Sequence, residues 1–444
     1  MAENQRPWYQ RIRGVVGEIT NWLIPGLGVK RWILLILFGT TLIGVGLGVL
    51  ILEVYRTAPD SWWLPALSAA SLRFLVRPVR ALIFGGLGLA CIMIGIWQFN
   101  RSLMKPFVPR GKRVLRELRI HRQRQRGPRI VVIGGGHGMS MILRGLKKYT
   151  HNITAIVTVA DDGGSSGRLR RDTGILPPGD VRNCLVALSD DEEFLGALFQ
   201  YRYSNGDPSL NGHSFGNLFI SAMAEVTGSF EKAVSEAGQV LAVHGRVLPS
   251  TLTNVKLVAD KSIPYVGAQV RVEGESRIPQ TVGTVRRVWL DPDNPPAYPT
   301  AIQAVLNADL IIIGPGSLFT SILPNLMVPD LARAIQASRA LKIYVCNVAT
   351  QPGETDGFSC ENHLRAIEDH VGFTLVDLTI CNTCFDYNLP EGVNWVNVEA
   401  DLDDDYAIYR AEVADKSMPY RHDSEKLAQV ILDLYQERTG PLVE

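Results

Sequence analysis

The sequence predicts a Rossmann-like α/β domain, doubly wound around a mainly parallel sheet, with a small antiparallel insertion and two preceding transmembrane helices. Three observations predict it. From residue 130 onward, short β-rich runs alternate with helical patterns, the order that builds a parallel sheet. The first run, Ile130-Val131-Val132-Ile133, breaks at once into Gly134-Gly135-Gly136-His137-Gly138. Upstream, two long apolar stretches carry no charge at all.

Those stretches run from Trp32 to Leu52, 21 residues, and from Ala81 to Asn100, 20 residues. Each has the length of a helix crossing the roughly 30 Å hydrocarbon core, and Trp32, Trp62, Trp63 and Trp97 stand near their ends as interface aromatics do. The first stretch is too long, and too far from the N-terminus, for a cleaved signal peptide. Charge sets the orientation. Residues 101–129 hold eleven Lys or Arg and one Glu, against four Arg in 53–80, so both termini are expected on the cytoplasmic side of a membrane. The division expected is a cytoplasmic segment 1–31, a transmembrane hairpin 32–100, a basic linker 101–129 and an α/β domain 130–444. Residues 1–129 carry 20 basic and 5 acidic side chains, and the rest carries 25 and 39. An acidic domain beside a basic stretch without interleaved aromatics argues against nucleic acid as a partner. The lipid bilayer is the partner expected for the basic part.

Within 130–444, strands are expected at 130–134, 154–159, 309–314, 341–347, 374–380 and 394–398. Helices are expected at 138–149, 180–189, 191–203, 216–227, 230–242, 300–307, 317–324, 328–337, 360–370 and 423–436. Residues 247–288, rich in Val and Thr and punctuated by Pro264, Gly267, Gly274 and Gly283, read as the antiparallel excursion. The four prolines of 291–299 mark a loop. Six cysteines in 444 residues do not make a disulfide scaffold. Cys381-x-x-Cys384 has no second pair and no histidine at zinc spacing, so it reads as two ordinary thiols.

The chemistry sits at strand ends. Glycines after a strand let backbone N–H groups approach an anion at the following helix start. The spacing of Gly134, Gly136 and Gly138 is not the G-x-G-x-x-G dinucleotide fingerprint, and without a second feature it is only a tight turn. The second feature is Asp161-Asp162-Gly163-Gly164-Ser165-Ser166-Gly167-Arg168, after the next strand. Asp161 and Asp162 there could hold Mg²⁺ against a phosphate, accept hydrogen bonds from a sugar hydroxyl, or cap a turn. Arg168 could clamp an oxyanion. Asp180, in Pro177-Pro178-Gly179-Asp180-Val181-Arg182-Asn183, reads equally as an N-cap or a ligand. Further polar turns are Gly212-His213-Ser214-Phe215-Gly216-Asn217, Gly314-Pro315-Gly316-Ser317 after another strand, and Asn347 at the end of Tyr344-Val345-Cys346. Such loops converge on one rim in open α/β sheets.

These segments, 134–138, 161–168, 177–190, 212–217, 248–251, 314–326 and 347–356, resemble the YvcK family, often called gluconeogenesis factor, within the CofD-like superfamily. The resemblance covers essentially all of 130–440. It implies a cytoplasmic Rossmann-like protein that binds UDP-N-acetylglucosamine, is linked to cell-envelope synthesis, cell shape and growth on gluconeogenic carbon, and has no established reaction. His137 stands where the family pattern has Thr, and Asp162 where a relative has Asn. The related CofD branch transfers a phospholactyl-type group from an activated nucleoside diphosphate to a deazaflavin, with Mg²⁺.

Two readings follow. In the first, a membrane-tethered UDP-sugar sensor, Gly135, Gly136, His137 and Gly138 approach the diphosphate. Asp161, Asp162, Gly164, Ser165, Ser166 and Arg168 lie near phosphates or sugar, and Asp180, Asn183, His213 and Asn217 line the cleft with Gly316, Ser317 and Asn347. Occupancy is then passed to an unidentified regulatory protein partner, with a homo-oligomer as a further expectation. In the second, a magnesium-dependent transferase, Asp161, Asp162 or Asp180 holds the metal.

Overall fold

The computed structural model describes residues 124–204, 210–263, 268–399 and 406–439, together with scattered positions between 38 and 94. The chain divides into two compact units, Met1–Ile120 and His121–Glu444. Among the described residues no helix is long and apolar enough to cross a membrane. That corrects the two transmembrane helices and the cytoplasmic-membrane placement expected from the sequence. Twenty uncharged residues are necessary for a span, but a span also needs an unbroken helix of roughly 20 residues. Most of 32–100, with 1–31 and 101–123, lies outside the described residues.

In the second unit, β1 (Ile130–Gly134) leads into α1 (Gly136–Leu146) and β2 (Ile153–Val157). Five helices follow: α2 (Gly164–Thr173), α3 (Gly179–Leu188), α4 (Glu192–Gln200), α5 (Phe215–Thr227) and α6 (Phe230–Val240). After β3 (Arg246–Pro249) come the insertion strands β4 (Lys256–Ser262), β5 (Gln269–Glu273) and β6 (Thr284–Asp291). The chain continues through α7 (Pro299–Leu306), β7 (Leu310–Ile313), a π-turn at Leu318–Ile322, α8 (Leu323–Leu326) and α9 (Pro329–Ala337). It closes with β8 (Leu341–Val345), α10 (Cys360–Val371), β9 (Leu378–Asn382), β10 (Ile408–Ala411) and α11 (Ser424–Thr439).

Seven strands form one sheet in the order β10-β9-β8-β7-β1-β2-β3, and every pairing in it is parallel. Ile133 of β1 lies between Ile156 of β2 and Ile313 of β7. Parallel strands are covered on both faces, so they read as unbroken apolar runs instead of alternating ones. IVVIG, ITAIV and LIII are buried at every position. Ile312 is wholly buried at the sheet centre. Ile312→Ala is expected to cost about 2–5 kcal/mol through lost transfer energy and the cavity left behind, seen as a lower denaturant midpoint at unchanged slope.

Helix ends separate two groups. Asp191, Ser214, Ser229 and Ser359 cap α4, α5, α6 and α10 by accepting a backbone N–H in the first turn. The residues preceding α1, α2 and α3 (Gly135, Gly163 and Pro178) supply no side-chain cap.

Three expectations change. The strand expected at 394–398 is a single bridge, Ala349 to Trp395; the edge strand is β10, whose half-exposed Ile-Tyr-Arg-Ala gives no apolar run. Of the 247–288 excursion, the first piece is β3, which joins β2 in the parallel sheet. The antiparallel sheet is β5-β4-β6 and reaches Asp291. The loop expected after Asp162 becomes α2 at Gly164, a helix of Gly, Ser and Arg whose formation owes more to its surroundings than to propensity.

Candidate functional site

From β1 the chain winds towards β2 and β3 on one side, and later fills β7, β8, β9 and β10 on the other. The reversal between β1 and β7 opens a crevice at the carboxyl ends of the strands, where open α/β sheets hold their ligands. A cleft of about 620 Å³ lies there. The loops after β1 and β7 meet across it. A Cβ placed on Gly138 would sit 2.6 Å from the Pro315 carbonyl oxygen, and one on Gly316 would sit 3.4 Å from that of Gly135. Gly136 has φ +64°, a conformation that side chains disfavour. Asn325 holds this junction, donating from Nδ2 to the carbonyls of Gly134 and Ser321, both at 2.8 Å. Asn347 donates to Gly316 at 2.9 Å, and Gln351 to the Ser317 hydroxyl at 2.9 Å. Gly138→Ala is therefore expected to force the two loops apart, lower stability by about 1–3 kcal/mol and reduce ligand affinity, as thermal melting and titration of the same sample would show.

Positive groups face the cleft from three elements. Arg182 on α3 is buried, donating to Ser214 Oγ at 2.7 Å, Asn217 Oδ1 at 2.9 Å and Asn183 Oδ1 at 2.9 Å. Arg202 donates to the Gly212 carbonyl at 3.0 Å. Arg421 comes from the loop before α11, its guanidinium 5.4 Å from the Tyr420 ring centroid. All three line the cleft. Burial, with Arg421, Arg182 and Arg144 close by, holds the His137 imidazole below its usual value.

Three carboxylates answer them. Asp180 is not the N-cap of α3 but lies in its first turn, where it accepts the Gly136 N–H at the start of α1. Burial, then the nearby Asp161, push its carboxyl up to about 7. Asp161 is raised by burial, although it accepts the Gly163 N–H at 2.8 Å and a Ser166 hydrogen bond. Glu275, from the insertion, is pushed up to about 8 by burial and by Asp161, Asp180, Glu354 and Asp162.

Of the residues expected from sequence, Gly135, Gly136, His137, Gly138, Asp161, Gly164, Ser165, Ser166, Asp180, Asn183, Asn217, Gly316, Ser317 and Asn347 line this cleft. Three stand outside its lining. Asp162 turns to the insertion, its Oδ1 accepting the Ser276 N–H at 2.9 Å. It thereby positions Glu275, one residue away. His213 is buried beside Ser165, Nδ1 to Oγ 3.0 Å, and shapes α2 and α5 from behind. Arg168 packs by Gly212, whose Cβ would meet its Nη2 at 3.0 Å. Arg182, Arg202, Glu275, Gln351 and Arg421 were not singled out by the sequence. Arg182 and Gln351 had a signal, their places in the Pro177–Asn183 turn and in the 347–356 segment; the others arrive from distant segments.

Magnesium takes one or two carboxylates and completes its shell with water and phosphate. Asp161 and Asp180 fit that demand, and a divalent cation would reverse the rise in their pKa values. Asp162, expected as a metal ligand, stands outside the cleft lining, one of its oxygens accepting the Ser276 N–H.

The family model described as 2-phospho-L-lactate transferase CofD matches residues 130–439. The chain belongs to the CofD family. Its relatives there include a Nostoc sp. protein 48% identical over 362 residues, 80% of this chain and 77% of that protein. The gluconeogenesis factor of Bacillus subtilis is 43% identical over 322 residues, 70% of this chain and 99% of its own. A crystal structure of a UPF0052-family protein from Bacillus halodurans matches with a TM-score of 0.64 at 42% identity, covering 69% of this chain and 99% of the other. Within the CofD family the chain therefore stands with gluconeogenesis-factor homologues, and their shared fold is the α/β unit that carries the cleft.

Proposed function

We propose that this chain is a gluconeogenesis-factor-type regulatory protein whose cleft binds a UDP-sugar, UDP-N-acetylglucosamine, and reports its occupancy to a protein partner. The observation that carries the reading is the pairing of glycine-rich helix starts with Arg182, Arg202 and Arg421 around one cleft at the β1/β7 reversal. The α1 and α2 starts lack side-chain caps, so N–H groups beyond Gly136 remain for a diphosphate. Asp180 and Glu275, pushed up to about 7 and about 8, are partly protonated near neutrality, and so suit sugar hydroxyls better than they suit a bare anion. Occupancy acts on a partner only through a difference in affinity between two states. Full-length protein incubated with UDP-N-acetylglucosamine, with and without Mg²⁺, is expected to return the ligand unchanged on chromatography.

A second reading rests on the same carboxylates and on the transferase that describes the family. Asp161 and Asp180 would hold Mg²⁺, which stabilises a leaving diphosphate. This chain's own part would be Arg182 and Arg421 orienting the donor. Release of UDP in that incubation would favour it.

A further inference from the structure

Behind the β8 rim of the cleft, three cysteines converge. Cys346 follows β8, Cys360 opens α10 and Cys381 lies in β9, with exposures of 1%, 0% and 2%. Their sulfurs all lie within 4.8 Å of one another, and among the described residues no other trio of His, Cys, Asp or Glu side chains gathers this closely. The pair Cys381-x-x-Cys384, read from sequence as two ordinary thiols, is thus divided. Cys381 joins the cluster and Cys384, less buried, does not.

Apolar packing does not call for three thiols in one place, and a disulfide would use only two. In the structure the Cys360 and Cys381 sulfurs are drawn together as a bonded pair, although their Cα atoms stand 7.0 Å apart, beyond the usual disulfide span of roughly 4.4–6.8 Å, and the Cys346 sulfur stands beside them as a third. Beside Cys360, Glu361 is wholly buried. Its Oε1 accepts the Glu399 N–H at 2.9 Å, while Oε2 has no hydrogen-bond partner among the described residues. A buried carboxylate oxygen without a donor is costly unless a cation meets it.

We propose that Cys346, Cys360 and Cys381 form a thiolate site for a soft or borderline divalent metal ion of the zinc type, whose positive charge also answers the buried Glu361 carboxylate nearby. Thiolates select such ions over magnesium or calcium. Binding forms three metal–sulfur bonds, the three thiol protons leave to solvent, and no electron is transferred. The ion clamps β8, β9 and α10 together. It also braces the cleft: Asn347 follows Cys346 directly, and His422, in the cleft lining, donates from Nε2 to the Cys346 carbonyl at 3.0 Å. The inference stands whichever ligand the cleft takes.

Full-length protein, purified under reducing conditions without chelator, is expected to carry about one such ion per chain by elemental analysis. After exchange to cobalt(II) it is expected to show sulfur-to-cobalt charge-transfer absorption. Losing even an outer partner costs a metal site about 10–100-fold in affinity, so Cys346→Ser is expected to lose at least that much. Cys384→Ser is expected to retain the ion. Because Cys346→Ser can fail to fold, the cobalt spectrum of the unmutated chain decides by itself. Reduced, folded protein without that absorption would overturn the site, as would a Cys360–Cys381 disulfide recovered from protein made in a reducing cytosol.

Discussion

Arg182→Ala is expected to weaken UDP-N-acetylglucosamine binding by about thirtyfold to a thousandfold, the equivalent of about 2–4 kcal/mol for a buried, hydrogen-bonded charge. Arg182 is the cation most deeply fixed in the cleft. Its guanidinium fork is held by Ser214, Asn217 and Asn183, so it meets an anion without first being ordered, which is where much of the cost of binding falls. Arg182→Lys keeps the charge but cannot span the same acceptors, and an intermediate affinity is expected. Isothermal titration of both variants, with melting curves to show that each is folded, measures this. Equal affinity in all three proteins would remove Arg182 from the site.

Without divalent metal, affinity for the same ligand is expected to fall about thirtyfold to a thousandfold between about pH 6 and pH 9. Asp180 and Glu275 are pushed up to about 7 and about 8, so both are largely protonated at the low end and ionised at the high end. Each new charge facing a diphosphate costs about 1–2 kcal/mol at an effective dielectric of about 20. The same shifts bear on stability. A carboxyl raised in the folded state favours folding while it is protonated. That contribution is complete below the unfolded value of about 4 and is lost as pH rises through about 7 and about 8. Unliganded protein is therefore expected to melt lower at pH 9 than at pH 6, and Asp180→Asn to flatten both profiles. If affinity rises with pH only when Mg²⁺ is present, the carboxylates are acting as metal ligands and the transferase reading gains.

The parts of this architecture that could be read from sequence are those written in contiguous residues. Ile130–Gly134 with its glycines, and Leu310–Ile313 with Gly314-Pro315-Gly316-Ser317, each carry strand, turn and helix start within a dozen positions, so both walls of the crevice were legible. What was not legible depends on long-range approach. Glu275 reaches the cleft because Asp162 anchors the insertion at Ser276. Arg421 reaches it because α11 packs against α1, where Gly145 has no room for a side chain beneath Ser424 and Ala428. β10 pairs with β9 on backbone hydrogen bonds that leave no mark in side-chain pattern. The apolar stretches at 32–52 and 81–100 show the converse: freedom from charge is easily read, but it does not by itself make a helix that crosses a membrane, and among the described residues none does.

The most direct measurement is calorimetric titration of the full-length protein with UDP-N-acetylglucosamine at about pH 6–7, with Arg182→Ala measured alongside. One saturable site per chain that is lost or sharply weakened in the variant is the expected result. No heat of binding to a folded chain, or binding that Arg182→Ala leaves untouched, would contradict the placement of a UDP-sugar at the β1/β7 crevice.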